Sequence, residues 1–163
     1  MTLEPIFQSA PAFKIIGVER YTDKGLPSIQ EADDEFFRRR DEVPNATTPK
    51  VIYGFEDYSR DLVMTPGEFP KYYYIAAMSV KELSEIPEGM VGLEVPASNY
   101  AVFDFQGPIS DLAQLFRYIY DEWFPKSGYK LDPNNFADFE RFPGPVTDMQ
   151  NAHIEIHVPI VPA

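Results

Sequence analysis

A chain of 163 residues is long enough for one sizeable core and too short for two comfortable ones, so a single domain over residues 1–163 is expected. Fourteen basic against 26 acidic residues give a net charge of −12, a field that repels phosphate backbones and makes direct nucleic-acid binding an unlikely task for this chain. Cysteine is absent, which removes disulfides, thiolate catalysis and zinc–cysteine sites together, and no apolar run approaches the roughly 20 residues of a membrane span.

The N-terminus carries Glu4 and lacks a basic start before an apolar block, so it does not read as a secretory signal, and a cytoplasmic location without a membrane partner is expected. Residues 13–21, FKIIGVERY, read as a strand. Ser28 and Glu31 have capping-box spacing, and Ile29, Ala32, Phe36 and Phe37 form one apolar helical stripe to about Arg40, closed by Pro44. Arg38, Arg39 and Arg40 are the one basic cluster, at a position where cations complement a helix dipole. Residues 51–58 (VIYGFEDY) and 71–80 (KYYYIAAMSV) are strands on either side of a Pro- and Gly-containing loop. Residues 91–95 form a short strand ended by Pro96, and 99–105 another. The latter feeds a long helix whose stripe is Leu112, Leu115, Phe116, Ile119, Tyr120 and Trp123, with Pro125 and Gly128 expected to end it. Residues 136–142 (FADFERF) and 154–161 (IEIHVPIV) close the chain as strands.

Strand, helix, strand, strand thus occurs twice, over about 13–80 and 90–161, and GFEDY at 54–58 matches DFERF at 138–142. Two such units pair into one antiparallel sheet with both helices on one face, an α+β architecture with pseudo-twofold symmetry. Alternation puts Phe136, Asp138, Glu140 and Phe142 on one side of their strand, and Ile52, Gly54, Glu56 and Tyr58 on one side of theirs. The smaller sets containing Phe139 and Phe55 suit packing under a helix, so the glutamates are expected on the face away from the helices. A carboxylate among aromatic rings either neutralises a bound cation or, its pKa raised by desolvation, works as a general acid or base. Glu140 and Glu56 are therefore the leading candidates for a binding site. Tyr72 and Tyr74 share a strand face and join them, followed by Tyr100 and Phe142. Trp123, on the helical stripe, suits either core packing or pocket lining.

These segments, IPEG, LEVPASNYAVFDFQGP, IYDEWFPKSGY, ADFERF and IEIHVPI, resemble the GyrI-like small-molecule-binding domain, the effector-binding module of AraC- and MerR-type multidrug regulators. The resemblance implies an aromatic pocket for lipophilic, often cationic, compounds, with Glu140 as its charged residue. Trp123, Pro125, Ser127, Gly128 and Tyr129 match a second family segment. Regulators of this family also carry a helix-turn-helix domain. Here the effector-like region starts near Phe13, so the resemblance is to the stand-alone members. Their implied roles are sequestering small molecules, inhibiting DNA gyrase through protein contact, or, in one branch, hydrolysing electrophilic compounds with a pocket glutamate. Glu140 would be the catalytic residue of that last reading, and a regulator or gyrase the protein partner of the others.

His153, Glu155 and His157 alternate along the last strand in a spacing able to present three metal ligands, but a polar strand face explains them more simply, and no metal is expected. Neither a Gly-rich phosphate loop nor a nucleophile elbow occurs, so no cofactor is expected.

Overall fold

The computed structural model describes residues 3–135 and 137–163; Phe136, which alternation sets beside Asp138, lies outside the described residues. Among the described residues nine strands form one antiparallel sheet: β1 (Ile6–Ala10), β2 (Phe13–Tyr21), β3 (Ile52–Asp57), β4 (Tyr73–Val80), β5 (Val91–Val95), β6 (Ser98–Gly107), β7 (Tyr129–Leu131), β8 (Ala137–Phe142) and β9 (Ala152–Pro162). Their order is β1-β6-β9-β8-β3-β4-β2-β5, with β7 on β9. The helices are α1 (Leu26–Arg39), α2 (Leu112–Tyr118) and α3 (Phe124–Ser127). β1 and β7 were not legible as strands.

The repeat closes at the centre of the sheet. β3 pairs with β8 with Phe55 opposite Phe139, which sets a pseudo-twofold axis on that pair and relates residue 55+k to residue 139+k. Glu56 then corresponds to Glu140, Gly54 to Asp138, and Tyr58 to Phe142. In each unit the second strand pairs with the third and the third with the first: β3-β4-β2 in one, β8-β9-β6 in the other.

Register shows that both helices lie on one face. Directly opposed residues of antiparallel strands point the same way, so Ala76, Gly54, Glu140, Ile156 and Phe103 form one row across the sheet. At one end of the row, Ala76 packs with Ile16, Val18, Ala32 and Phe36 beneath α1. At the other, Ile156 and Phe103 pack with Leu115 and Ile119 beneath α2. Between them, at the central strands, the row carries glycine and glutamate. The opposite face buries its own core of Ile15, Phe55, Ile75, Val102 and Phe139, among others.

Two local expectations need correction. The capping box is replaced by a different start: α1 begins at Leu26 after Gly25, whose φ of 72° is left-handed, with Pro27 in the first turn. Ser28 lies inside that turn and its Oγ reaches back to accept the Lys24 amide at 3.1 Å. The second helix does not end at Pro125. α2 passes into a wider π turn over Ile119–Trp123, in which the Phe124 amide bonds the Ile119 carbonyl, and continues as α3. The widened turn takes in a proline that a regular α-helix would reject. Gly128, at φ 78°, supplies the left-handed stop. The basic cluster does mark a helix terminus, with Arg39 held by Glu35 and Glu42.

Candidate functional site

The glutamates point between the helices rather than away from them. Alternation could not decide this, because both faces of β3 and β8 are buried and Phe55 and Phe139 serve a core of their own on the far side. The helices cover the flanking strands, and between them the central pair carries a buried acidic cluster with Tyr58, Tyr72, Tyr74 and Tyr120 around it.

Glu56 from β3, Asp138 and Glu140 from β8 and Asp33 from α1 converge there. Glu56, Asp138 and Glu140 are buried, at 4%, 0% and 8% exposure, whereas Asp33 is exposed. Tyrosine hydroxyls surround them. Tyr74 Oη donates to Asp33 Oδ1 at 2.7 Å, Tyr58 Oη to Asp138 Oδ2 at 3.1 Å, and Tyr120 Oη also donates to Asp138 Oδ2. Glu56 Oε2 and Glu140 Oε2 are buried without a hydrogen-bond partner among the described residues. Nor does any ion pair found among the described residues involve these four carboxyls; Arg20, Lys24, Arg39, Arg60 and Arg141 pair with other acids. Burying an ionised carboxyl without a partner is costly, and such a group takes up a proton instead. Burial pushes Glu140 up to about 7, against a hydrogen bond with Glu56, and Asp138 and Asp33 add their charge to the shift. Asp33 is raised to about 6 by desolvation from the protein packed around it, although its side chain reaches solvent, and against the stabilising Tyr74 bond. Glu56 is held well above the ordinary range by burial and then by Glu140 and Asp138. Asp138 is raised too, burial outweighing the hydrogen bonds it accepts. The cluster thus stores protons at neutral pH and can become more negative if a cation enters.

Backbone and rings are fitted to this cluster. Gly54 is required because a Cβ there would lie 2.5 Å from Tyr74 Oη and 3.1 Å from Glu140 Oε2. Tyr72 is buried, stands edge-on to Tyr58 with ring centroids 5.3 Å apart, and has Phe69 at 6.3 Å on the solvent side. The charges of Glu56, Glu140 and Asp138 all act on its hydroxyl.

The sequence candidates therefore divide. Glu140, Glu56, Tyr72 and Tyr74 come together. Phe142 shares the helix face but packs in the α2 core. Trp123 is not brought to the cluster; it stands edge-on to Phe103 at 5.2 Å and stacks on Tyr129. Tyr100 lies on the opposite face, 1% exposed, where Asn135 donates to its hydroxyl at 3.2 Å. Asp33, Tyr58, Asp138 and Tyr120 were missed as site residues. Asp33 left a trace, as a carboxyl four residues after Ile29 and three before Phe36 on an otherwise apolar stripe. The alternating polar residues of β9 part company: His153 pairs with Asp104 at 2.6 Å, while the buried His157 bonds Glu155 at 2.9 Å.

A two-helix layer thus covers one face of a pseudo-symmetric antiparallel sheet, with a buried acidic cluster between the helices. A family model described as integron-associated effector binding protein matches residues 8–160, and the chain belongs to that family. Transcriptional regulator BrlR of Pseudomonas aeruginosa is 32% identical over 154 residues, covering 92% of this chain and 53% of the regulator, so the chain spans about half the length of that relative. The C-terminal domain of EcmrR has the same fold, with a TM-score of 0.75, 15% identity and full coverage of both chains. So does SAV2435, solved bound to tetraphenylphosphonium, with a TM-score of 0.69, 16% identity, and 98% and 94% coverage. The resemblance to GyrI-like effector-binding domains is thereby borne out. Among the described residues no helix is long and apolar enough to cross a membrane.

Proposed function

We propose that the chain binds apolar organic cations at the acidic cluster between α1 and α2, with Glu140 and Glu56 as counter-charge, and acts as the effector-sensing part of a transcription-regulatory or drug-sequestering system. The observation that carries this reading is the pair of buried oxygens, Glu56 Oε2 and Glu140 Oε2, that have no hydrogen-bond partner and belong to carboxyls making no ion pair among the described residues. Such groups are destabilising unless something else supplies positive charge. An inorganic cation would leave the surrounding rings without a role. A cation with an aromatic or alkyl body fits both features, its charge over the carboxylates and its body against Tyr58, Tyr72 and Tyr74. The relatives support the same choice, since one protein of this fold binds tetraphenylphosphonium and a regulator shares nearly a third of the aligned residues.

Binding follows from coupled protonation. An arriving cation favours ionisation of Glu140 and its neighbours, so protons leave as it enters. A neutral compound of the same shape gains no such term. Because the two glutamates are almost inaccessible, the aromatic cover moves on entry. Phe69 and Tyr72, at the end of the loop before β4, are the side chains placed to do so. The net charge of −12 draws cations toward the chain at low ionic strength.

Calorimetric titration with tetraphenylphosphonium, and with triphenylphosphine oxide as the uncharged control, tests the reading. Wild type should bind the cation saturably at pH 7.5, and Glu140→Gln should bind it about tenfold or more weakly. The oxide should not distinguish the two proteins. Equal cation affinities would contradict the proposal. Mass spectrometry on each recovered compound addresses the hydrolytic reading, in which a carboxyl titrating near neutrality beside tyrosine hydroxyls acts as general acid. Conversion by wild type but not Glu140→Gln would support it.

A further inference from the structure

The opposite face of the sheet holds a cavity of about 500 Å³, walled on one side by the β1–β2 connection and on another by Thr47 and Thr48. Its floor is aromatic. The His157 ring stacks on Phe139 at 4.6 Å and 11°, Tyr53 stands edge-on to Phe139 at 5.7 Å, and Phe13 lies 5.9 Å from both Tyr53 and Phe139. Arg141 lines the same cavity, with Lys14 and Lys81 at its edge, and the acids beside them are Glu94 and the Glu155 that pairs with Arg141. On a chain with a large acidic excess, this locality holds slightly more basic than acidic groups.

The internal symmetry provides a control. The pseudo-twofold axis that exchanges Phe55 and Phe139 carries Arg141 to Asp57, Tyr53 to Ala137, and His157, opposite Phe139, to Ile75, opposite Phe55. Those counterparts line a cavity of only about 170 Å³. The fold alone therefore accounts for a small recess, while the larger one has a guanidinium, a phenol and an imidazole where its counterpart has a carboxylate, a methyl and an alkyl chain.

We propose that the larger cavity is a second ligand site, separate from the acidic cluster, for a planar aromatic carboxylate. Its ring lies in the space beside Phe13, Tyr53, Phe139 and His157, and its carboxylate meets Arg141. Arg141 Nη1 donates to Glu155 Oε2 at 3.1 Å, and this is the one hydrogen bond the guanidinium makes to protein among the described residues, so further donors of the fork remain for a guest. Glu155 also takes His157 Nε2 at 2.9 Å, which fixes the imidazole as a flat wall. Burial lowers the pKa of His157, keeping that wall neutral near pH 7. Arg141 and Glu140 are adjacent in β8 and point to opposite faces, so the two sites share a strand without sharing a chamber.

The test is calorimetric titration of the full chain with 2-naphthoate and with its uncharged analogue 2-naphthylmethanol. Naphthoate should saturate a single site, weaken about tenfold or more in Arg141→Gln, and lose binding in Thr48→Trp, a substitution on an exposed wall that fills the cavity without touching the ion pair. Naphthylmethanol should be unaffected by Arg141→Gln. Glu140→Gln should leave naphthoate binding unchanged, just as Arg141→Gln should leave tetraphenylphosphonium binding unchanged, so either site can fail without the other. Absence of saturable naphthoate binding, equal affinity in wild type, Arg141→Gln and Thr48→Trp, or loss of naphthoate binding in Glu140→Gln would each overturn the proposal.

Discussion

The two units solve the same polar problem in opposite ways. In the first, the strand supplies the hydroxyl and the helix the carboxyl: Tyr74 of β4 donates to Asp33 of α1. In the second, the helical segment supplies the hydroxyl and the strand the carboxyl, Tyr120 donating to Asp138 of β8. The symmetry-related positions show why. Tyr74 corresponds to Ile156, and Gly54, beneath Tyr74, corresponds to Asp138. A tyrosine on the third strand leaves no room for a side chain on the second. An isoleucine leaves room for an aspartate, which then recruits Tyr120 from above. Among the polar groups of the cluster the glutamates, Glu56 and Glu140, are the same in both units, and each keeps one carboxyl oxygen without a hydrogen-bond partner among the described residues. Where the repeat has diverged, the changes satisfy polar groups; where it has been kept, they remain available.

Gly54→Ala should break this arrangement most severely. The new methyl meets Tyr74 Oη and Glu140 Oε2, and a loss of about 2–3 kcal/mol is expected in urea unfolding, in the range of core overpacking. Adding Tyr74→Phe should recover part of that loss, because the nearest clashing atom is gone; no recovery would mean that the backbone rather than the ring sets the limit. Glu140→Gln acts in the other direction. It removes a desolvated charge and should stabilise the unliganded protein by about 1–3 kcal/mol at pH 8 and hardly at all at pH 4.5, as thermal melts at both values would show. Tyr120→Phe leaves Asp138 with Tyr58 alone and should cost about 1 kcal/mol. Trp123→Phe, remote from the cluster, should reduce stability by a similar or smaller amount and leave cation affinity unchanged; a tenfold loss of affinity would place that indole back in the site.

The pH dependence of the unliganded protein follows from the same groups. Asp33 and Glu140 have folded values near 6 and 7 against ordinary values of 3.8 and 4.5. Between the ordinary and folded values the native state holds more protons than the unfolded chain. Stability from this source is therefore full below about pH 4, falls as pH rises toward 7, and is flat above. A maximum in thermal stability at mildly acidic pH, lost in Glu140→Gln combined with Asp33→Asn, is the expected record.

Much of this was legible in the sequence because it is written in residue type. The repeat showed itself in GFEDY and DFERF, the helices in their apolar stripes, and Glu140, Glu56, Tyr72 and Tyr74 in the alternation of short aromatic strands. What could not be read was the direction each central strand faces. Phe55 and Phe139 are as apolar as any residue beneath a helix, yet their core lies on the other side, so period-two patterning alone leaves the sign of the face open. Asp33 was hidden because its partner is 41 residues away. Tyr120 counted as one of six stripe residues, and the π turn that accompanies its approach to Asp138 has no compositional mark. Trp123 and Tyr100 were drawn into the site by their chemistry, and their positions, one in the α2 core and one beneath the sheet, depend on tertiary packing.

The most direct test of the central claim, that the buried carboxyls are the counter-charge of a cation site, is the proton balance of binding. Tetraphenylphosphonium titrated at pH 6 into wild type, in buffers of different ionisation enthalpy, should release protons to the solvent, with release declining by pH 8 and markedly reduced in Glu140→Gln. Binding without proton release at either pH, or with the same release in the variant, would contradict the account.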